Sequence, residues 1–425
     1  MHWSEKRWAK HARELGGFLE PMVETLGRAE RRAGATRYVQ GLLMPGQRKS
    51  IEPLAARLGV DAQGLQQFVR DSPWSAAAVW SKLREEAIAP FAPLSAWIVD
   101  ETGWVKQGEH SVGVSHQYCG AVGKQANCQV CVEIAVSDGE VALPVAGRLY
   151  LPASWTNDRA RCRAAGVPDE VSFQTKPQIA LGLLRAVVTD GVATAPVLAD
   201  KVYGDCYDFR AGLRELNLEY CVQVTGSLLK AWAQPPELVH KFRRSYVTED
   251  TAPDRTLREL AGDIAAIDWA HASWKAADGS TRHTRLAWRR IWLAHGLRHT
   301  DGEPEEAWLL VDWPDGDTEP YHCFVMHLHR RPNKALCLRL SRGRWHIEQY
   351  FLRGKDDLGL DHYEGRSWQG FHHHLVLAAV AYLFVGVCHH RAKKNFWPDV
   401  GERAPRDPSV AGEIDRLLHL LRNEV

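Results

Sequence analysis

The chain has 425 residues, of which 45% are hydrophobic and 25% charged, the composition of a folded globular protein rather than a disordered or fibrous one. Its 53 basic and 52 acidic residues leave a formal charge of +1, so total charge gives no sign of nucleic-acid binding, although a local basic surface remains compatible with it. The start of the chain shows no apolar signal segment and the nine cysteines are scattered. We therefore expect a reduced, cytoplasmic protein that does not enter a membrane.

Residues 1–90 are predicted to form an all-helical domain, and residues 51–69 have the pattern of a helix-turn-helix. Ala55 is small enough for two helices to approach, Gly59 suits the turn, and Asp61 can cap the second helix. An ordinary helical hairpin has the same pattern, so the motif alone leaves both interpretations open. If it binds DNA, the basic residues that flank it would contact phosphates: Arg48, Lys49, Arg57 and Arg70.

Residues 91–225 are predicted to form the first part of a mixed α/β core. An apolar strand over 94–99 ends at Asp100, and a second buried strand over 195–199 ends at Asp200. Such strand ends are where mixed α/β folds place functional side chains. Between and after these strands we predict antiparallel strands over 111–119 and 128–136 with an extension over 143–151, helices over 176–190 and 209–216, and a strand over 220–224.

Residues 226–319 change character and are predicted to form a β-rich insertion, with strands over 284–293 and 306–312. The arginines and tryptophans of this segment either bind DNA or form the solvated face of a half-buried sheet, and the sequence is compatible with both. The residues concerned are Arg285, Arg289, Arg290, Arg298, Trp288 and Trp292. Residues 320–395 resume the core with a strand over 321–328 and helices from Lys334, and residues 396–425 form a tail ending in a short helix.

The stretch from Arg344 to Lys355 is predicted to be one amphipathic helix. At about 100° per residue, Arg344, Glu348 and Lys355 fall within roughly 40° of each other, while Ile347 and Phe351 form a neighbouring stripe that can bury. By itself this pattern is typical of an exposed ion pair. Considered together with Asp100 and Asp200, the pattern indicates that Glu348 is the third acid of one cluster. Clustered carboxylates need a cation, and their hard oxygens suit Mg²⁺.

At these residues the chain resembles insertion-sequence transposases with a DDE catalytic domain, most closely the insertion-sequence-701 group, which is related to the wider insertion-sequence-4-like transposases. The resemblance covers nearly the whole chain. It is carried by residues 100–104, 111–120, 127–130, 149–152, 154–156, 199–200, 203–205, 344–345, 347–349, 355 and 358–368.

The resemblance implies an RNase H-like mixed sheet flanked by helices, a β insertion between Asp200 and Glu348, and these two residues with Asp100 as the catalytic triad. It implies two Mg²⁺ ions, with Mn²⁺ as a substitute; Asp100 would bind both ions and the other two acids one each. Arg344 and Lys355 would hold phosphates. The implied activity is hydrolysis at the transposon ends and transfer of the 3′-hydroxyl ends into target DNA. Because two inverted-repeat ends must be cut together, we expect a homodimer in the DNA complex.

Two positions depart from the pattern of these transposases. Ser341 stands where a tyrosine is common, which puts one DNA contact in doubt, and Val202 replaces a glycine, which puts the local loop geometry in doubt. Neither change removes an acid. A catalytically silent DNA-binding protein and a non-transposing metal nuclease of the same fold remain the alternatives.

Two further sequence patterns resemble metal-binding motifs. Cys128 and Cys131 form a Cys-x-x-Cys pair, but no second pair follows at zinc spacing. His372, His373 and His374 precede the long apolar run of the chain, and we expect them to lie at the end of a buried helix, facing solvent or DNA.

Overall fold

The computed structural model describes residues 5–241, 244–248, 251–276, 279–294, 304–318 and 322–396. The predicted C-terminal helix and Arg298 lie outside these ranges. The chain divides into two compact units, and each is described by itself. Unit 1 comprises the described residues of 1–94, 100–193 and 346–425, and unit 2 those of 95–99 and 194–345.

Unit 1 begins with helices, and the predicted helix-turn-helix is confirmed as a structure. Gly59 follows the first helix of the motif with left-handed backbone (φ 63°, ψ 34°), which glycine adopts without strain. The Asp61 carboxylate accepts hydrogen bonds from Gln63 N and Gly64 N and so caps the second helix. The five helices are α1 (Glu5–Glu24), α2 (Ala29–Leu43), α3 (Ile51–Leu58), α4 (Ala62–Arg70) and α5 (Ala76–Ala87).

The next elements are strands followed by short helices. The central strand β3 pairs antiparallel with both β2 and β4, as the predicted hairpins require. The strand expected to start at Ser111 starts only at Ser115, because Gly113 (φ 74°) turns the chain against Leu149 and leaves no room for a side chain. The elements are β1 (Ala96–Val105), β2 (Ser115–Cys119), β3 (Lys124–Ser137), β4 (Ala142–Leu149), α6 (Ala153–Thr156), α7 (Arg159–Ala164) and α8 (Lys176–Thr189).

Unit 2 contains a mixed sheet. Its residues of β1 pair parallel with β5, which pairs parallel with β6, and antiparallel strands continue through β14, β13 and β12. The elements are β5 (Val197–Ala199), α9 (Lys201–Gly204), α10 (Tyr207–Glu215), β6 (Tyr220–Val224), β7 (Lys230–Trp232), β8 (Leu238–Lys241), β9 (Arg244–Val247), β10 (Arg255–Thr256), α11 (Leu257–Gly262), β11 (Ala270–Lys275), β12 (Thr281–Leu293), β13 (Glu305–Pro314), β14 (His322–His327) and α12 (Lys334–Gly343).

The β-rich segment expected over 226–319 does not form a body of its own. Its strand β13 pairs with β14 along five residues, and β14 pairs with β6 of the core. The buried carboxylate of Asp312 on β13 also accepts hydrogen bonds from Nη1 and Nη2 of Arg342 on α12. Insertion and core therefore share one sheet in unit 2. Composition does not reveal this, because backbone pairing between distant strands leaves no mark on it.

The last described elements are α13 (Trp345–Leu358) and α14 (Trp368–Phe396). By length and composition, the part of α14 over Trp368–Arg391 is apolar enough to cross a membrane, yet 72% of its most apolar window is buried inside the structure. This burial matches the predicted core helix.

The prediction for the three histidines of α14 was wrong, because all three form contacts inside unit 1. His374 Nδ1 contacts Tyr38 Oη (2.8 Å) and its Nε2 contacts Leu360 O (3.0 Å). His372 Nε2 accepts from Leu149 N, and His373 stacks on Trp74 at 3.5 Å between ring centroids. Burial lowers the pKa of His372 and His374 to about 4, so these histidines are neutral structural groups.

Candidate active site

Asp100 comes directly after the buried apolar residues of β1 and is itself half-buried. Its Oδ1 accepts a hydrogen bond from Glu101 N (2.8 Å), which orients the carboxylate. The neighbouring Glu101 forms an ion pair with Lys176 (2.6 Å) at the start of α8. The Glu101 carboxylate is thus paired with a lysine of unit 1, so Asp100 is the better candidate for a catalytic acid.

Asp200 follows β5 and caps α9, with its Oδ1 accepting from Val202 N (2.9 Å). In unit 2, Val99 of β1 lies opposite Ala199 of β5 in parallel register. Asp100 and Asp200 are the next residues of the chain after this pair. Asp200 follows β5, whereas Asp100 lies within β1, which continues to Val105 beyond the predicted end of the strand. Both candidate acids therefore come directly after residues that pair in parallel register.

The Tyr-Gly-Asp sequence after Asp200 has a packing explanation. A side chain at Gly204 would place its Cβ 2.0 Å from Gln223 O of β6, so only glycine allows α9 to approach this strand. Asp205 accepts hydrogen bonds from the amide and hydroxyl of Thr225 (both 2.7 Å). These contacts fix the turn that carries Asp200, and Val202 in place of glycine is exposed and leaves the cap in place.

Glu348 lies on the first turn of α13 and is exposed, while Ile347 and Phe351 are buried as predicted. Arg344 differs from the prediction. It lies between α12, which ends at Gly343, and α13, which begins at Trp345, so the predicted helix is confirmed from Trp345 onward and Arg344 falls just outside it. Gly343 packs closely on Leu198 of β5, since a Cβ there would come within 2.6 Å of the leucine Cδ1.

Two polar contacts hold α13 in unit 1. Lys355 Nζ donates to Gly103 O on β1 (3.0 Å), and Tyr350 Oη donates to Glu133 Oε2 on β3 (2.8 Å). Burial lowers the pKa of Lys355 and raises the pKa of Glu133 to about 7. The helix that carries Glu348 is therefore bonded to the strand that carries Asp100, and Lys355 has a structural role beside any contact with DNA.

The three acids suit a divalent cation by their chemistry, since they offer only the hard carboxylate oxygens that Mg²⁺ prefers. Backbone amides already orient the two aspartates. Within the described ranges, no group of three or more His, Cys, Asp or Glu side chains stands close enough together to hold a metal ion. A shared metal pair thus stays a prediction that the donor types support.

The basic residues near the helix-turn-helix have different surroundings. Lys49 is only 3% exposed, and its ammonium donates to Leu42 O (2.8 Å) and to Met44 O at the end of α2. Its charge stabilises a helix end, and the structure gives no support to the predicted phosphate contact. Arg57 Nη2 donates to Arg48 O (2.7 Å), while the Arg48 side chain is exposed and paired with Glu364.

In the insertion, Arg289 is half-buried on β12 and Arg290 is exposed beside it. Arg290 forms an ion pair with Glu306 and lies over the Trp308 ring at 5.1 Å from its centroid. Such a pair is a common feature of a solvated sheet face. DNA contact by Arg289 and Arg290 therefore stays a prediction.

Sequence reasoning missed several residues that support the candidate site. Glu133 carried a usable signal, because an acid within the apolar run from Val130 to Ile134 indicates a buried carboxyl with a specific partner. Arg210, which is fully buried in unit 2 and donates to Gly204 O (2.6 Å), carried none. Its place on a short helix, one turn before Arg214, looks like that of any surface arginine.

A mixed sheet with one acid on a parallel strand, a second acid after the neighbouring strand and a further acid on a later helix is typical of metal-dependent nucleases. Comparison with known families agrees: the model of the DDE superfamily endonucleases matches residues 21–290, more than half of the chain. The chain belongs to this superfamily. The matched range contains Asp100 and Asp200 and ends before Glu348.

Among curated proteins, the chain is similar to a probable transposase for insertion sequence element IS701 from Microchaete diplosiphon. The two are 32% identical over 189 residues, which is 43% of this chain and 46% of that protein. The matched stretch thus spans about half of the relative's length. The family assignment confirms the resemblance drawn from the sequence, and the activity of the whole protein is considered next.

Proposed function

We propose that this protein is the DNA transposase of an insertion sequence, which moves its element by cut-and-paste transposition with an RNase H-like catalytic domain. The observation that carries the proposal is the register of unit 2, in which Val99 and Ala199 pair just before Asp100 and Asp200. Membership of the DDE endonuclease superfamily and likeness to a probable transposase support it.

The third acid of the proposed site is Glu348. Two packing contacts support its recruitment: Lys355 of α13 bonds to Gly103, three residues after Asp100, and Gly343 before α13 packs on Leu198, two residues before Asp200. The first contact involves the strand that carries Asp100, and the second involves the strand that Asp200 follows. We therefore propose that the three carboxylates act together.

Asp100, Asp200 and Glu348 would hold two Mg²⁺ ions, which Mn²⁺ could replace, with Asp100 touching both. When bound, such a pair supplies positive charge at the phosphate and promotes deprotonation of the attacking group. The protein's own contribution is orientation, since backbone amides fix both aspartates and α13 fixes the glutamate. Arg344 and Lys355 would bind the phosphates beside the scissile bond; Lys355 has donors beyond the one given to Gly103.

The reaction needs no protein nucleophile. Water attacks the phosphorus at each transposon end, a P–O bond breaks, and a 3′-hydroxyl is released. That hydroxyl then attacks a target phosphodiester and displaces the target's own 3′ oxygen. Because two ends must be cut and joined together, we propose that the protein acts as a homodimer on inverted-repeat end DNA and target DNA, in the cytoplasm on the nucleoid.

Recognition of the ends falls to the helix-turn-helix. The exposed side chains of α4 lie within about 100° around the helix, opposite its buried apolar residues. This face carries three amides and one cation, and α4 contains no acid: the residues are Gln63, Gln66, Gln67 and Arg70. Glutamine can bond both exposed edge atoms of adenine in the major groove. We propose that α4 reads adenines in the terminal repeats.

The test separates binding from chemistry. Asp100→Asn, Asp200→Asn and Glu348→Gln should each leave binding of end DNA intact and abolish its Mg²⁺-dependent nicking. Asp356→Asn is the matched control, because Asp356 is an exposed acid on the same helix as Glu348 and should leave nicking unchanged.

Three results would overturn parts of the proposal. Equal loss of binding and nicking in the triad variants would remove their catalytic roles. A wild-type protein that binds ends without nicking them would be a silent DNA-binding protein. Nicking without joining of 3′ ends to a target plasmid would identify a nuclease that does not transpose.

A further inference from the structure

A buried ion cluster connects the insertion to the core of unit 2. Its centre is Glu305, the first residue of β13, whose side chain is 4% exposed. The carboxylate accepts from Tyr220 Oη (2.5 Å) and pairs with Arg214 (2.5 Å). It also accepts from Arg210 Nε and Nη2, at 3.4 and 3.5 Å. One acid of the insertion thus engages three residues of α10 and β6.

Arg210 carries the connection onward to the candidate site. Its side chain is fully buried, and its Nη1 donates to Gly204 O (2.6 Å) at the end of α9. This four-residue helix begins at the Asp200 cap, and the amides of Tyr203 and Gly204 both donate to Asp200 O (3.2 and 2.8 Å). The path from Glu305 to the backbone of Asp200 therefore passes through a single side chain and one helical turn.

Stability alone is a poor reason for this cluster. Removing charges from water costs several kcal/mol per ion, and apolar side chains of similar volume often stabilise a fold as well. A buried ionic cluster fixes geometry better than apolar packing does, because each guanidinium nitrogen and carboxylate oxygen has a preferred hydrogen-bond direction. Here the geometry is imposed on a helix too short to hold its own shape.

We propose that Glu305 is a positioning residue for Asp200: the insertion acts on the chemical step through the Glu305–Arg210–Gly204 connection, and not only by touching DNA. This proposal rests on the catalytic role proposed for Asp200 and goes beyond it, because it gives a strand of the insertion a part in the geometry of the active site. Glu305 itself touches no substrate.

The direct test is hydrogen–deuterium exchange followed by mass spectrometry, on the full-length protein, in the peptide spanning residues 200–206. Glu305→Gln keeps the shape of the side chain and removes its charge, so Arg210 loses its counter-ion and its fixed orientation. We expect exchange of the amides of Tyr203 and Gly204 to accelerate about tenfold or more, with amide exchange in the strands of unit 2 unchanged.

The second readout is single-turnover nicking of end DNA already bound to the protein. Loss of a residue that orients a metal ligand typically lowers activity about 10- to 100-fold. We expect that loss for Glu305→Gln, with unchanged affinity for end DNA. Asp190→Asn is the control, because it breaks another partly buried ion pair, with Arg84 (2.5 Å) in unit 1, and should leave both readouts unchanged.

Tyr220→Phe provides a milder variant if Glu305→Gln does not fold, since it removes one donor to Glu305 and keeps Arg210. It should accelerate exchange in the same peptide to a smaller extent. Unchanged exchange in residues 200–206, or acceleration spread evenly over unit 2, overturns the positioning role. If the wild-type protein does not nick DNA, the proposed function fails, and the exchange result still decides whether Glu305 holds the Asp200 turn.

Discussion

The buried carboxyl of Glu133 should make the stability of unit 1 depend on pH. Glu133 lies on β3 without exposed surface; its Oε2 accepts from Tyr350 Oη, and its Oε1 has no hydrogen-bond partner among the described residues. It fits there because the opposite residue on β4 is Gly147, where a Cβ would come 3.1 Å from the glutamate Cγ. Burial raises the pKa of this carboxyl from 4.5 to about 7.

The size and sign of the effect follow from this pKa. One pKa unit corresponds to about 1.4 kcal/mol, so the shift is worth about 3 kcal/mol of differential stability. Because the pKa of this acid is higher in the folded state, the stabilisation is fully present below about pH 4.5 and is lost as the pH rises through about 7. Glu133→Gln keeps the shape and cannot ionise, so it should lack this loss.

The measurement is urea-induced unfolding at about pH 5 and about pH 8. Between these values the free energy of unfolding of the wild-type protein should fall by about 2 to 3 kcal/mol more than that of Glu133→Gln. Glu170→Gln serves as the control because Glu170 is exposed, and it should behave like the wild type. The same pH dependence in the wild type and in Glu133→Gln would refute the assignment of the effect to this carboxyl.

Two more predictions concern the N-terminal helices. Gln66→Ala should weaken binding of end DNA about 5- to 100-fold, in line with the loss of one base contact, and leave binding of unrelated DNA unchanged; equal weakening on both DNAs, in a gel-shift titration, contradicts base readout by α4. Lys49→Met should lower the melting temperature because the end of α2 loses its ammonium contacts, but should leave the salt dependence of DNA binding unchanged; a salt slope reduced by about one would instead show a phosphate contact.

The sequence predicted most of the elements that carry the candidate site, because their signals are local. The apolar run that stops at Asp200 shows where β5 ends, and the alternation of Ile347 and Phe351 with Glu348 shows which side of a helix is buried. The run that stops at Asp100 marks only the buried half of β1, which continues to Val105. The caps at Gly59 and Asp61 are local in the same sense, and the structure confirms both. The acids themselves were recognisable by their order and context.

Contacts between distant residues could not be predicted in this way. Lys49 was predicted to contact phosphate, but in the structure its ammonium binds two carbonyl oxygens near the end of α2. The three histidines of α14 were predicted to face solvent or DNA, but they pack against other parts of unit 1. The helix expected from Arg344 begins one residue later, at Trp345, because α12 ends at Gly343, which packs on β5. In each case the deciding atom belongs to another part of the chain.

The sequence by itself determined the family of this protein, its three candidate acids, and most of the helices and strands that carry them, since caps and apolar periodicity are properties of neighbouring residues. Tertiary structure decided which charges face the interior and which strands are joined. Glu305 shows the difference: in the sequence it is one acid among several before a strand, and in unit 2 it is the buried partner of Arg210 and Arg214. A buried charge persists only where the fold supplies its counter-charge, and that counter-charge comes from about 90 residues away.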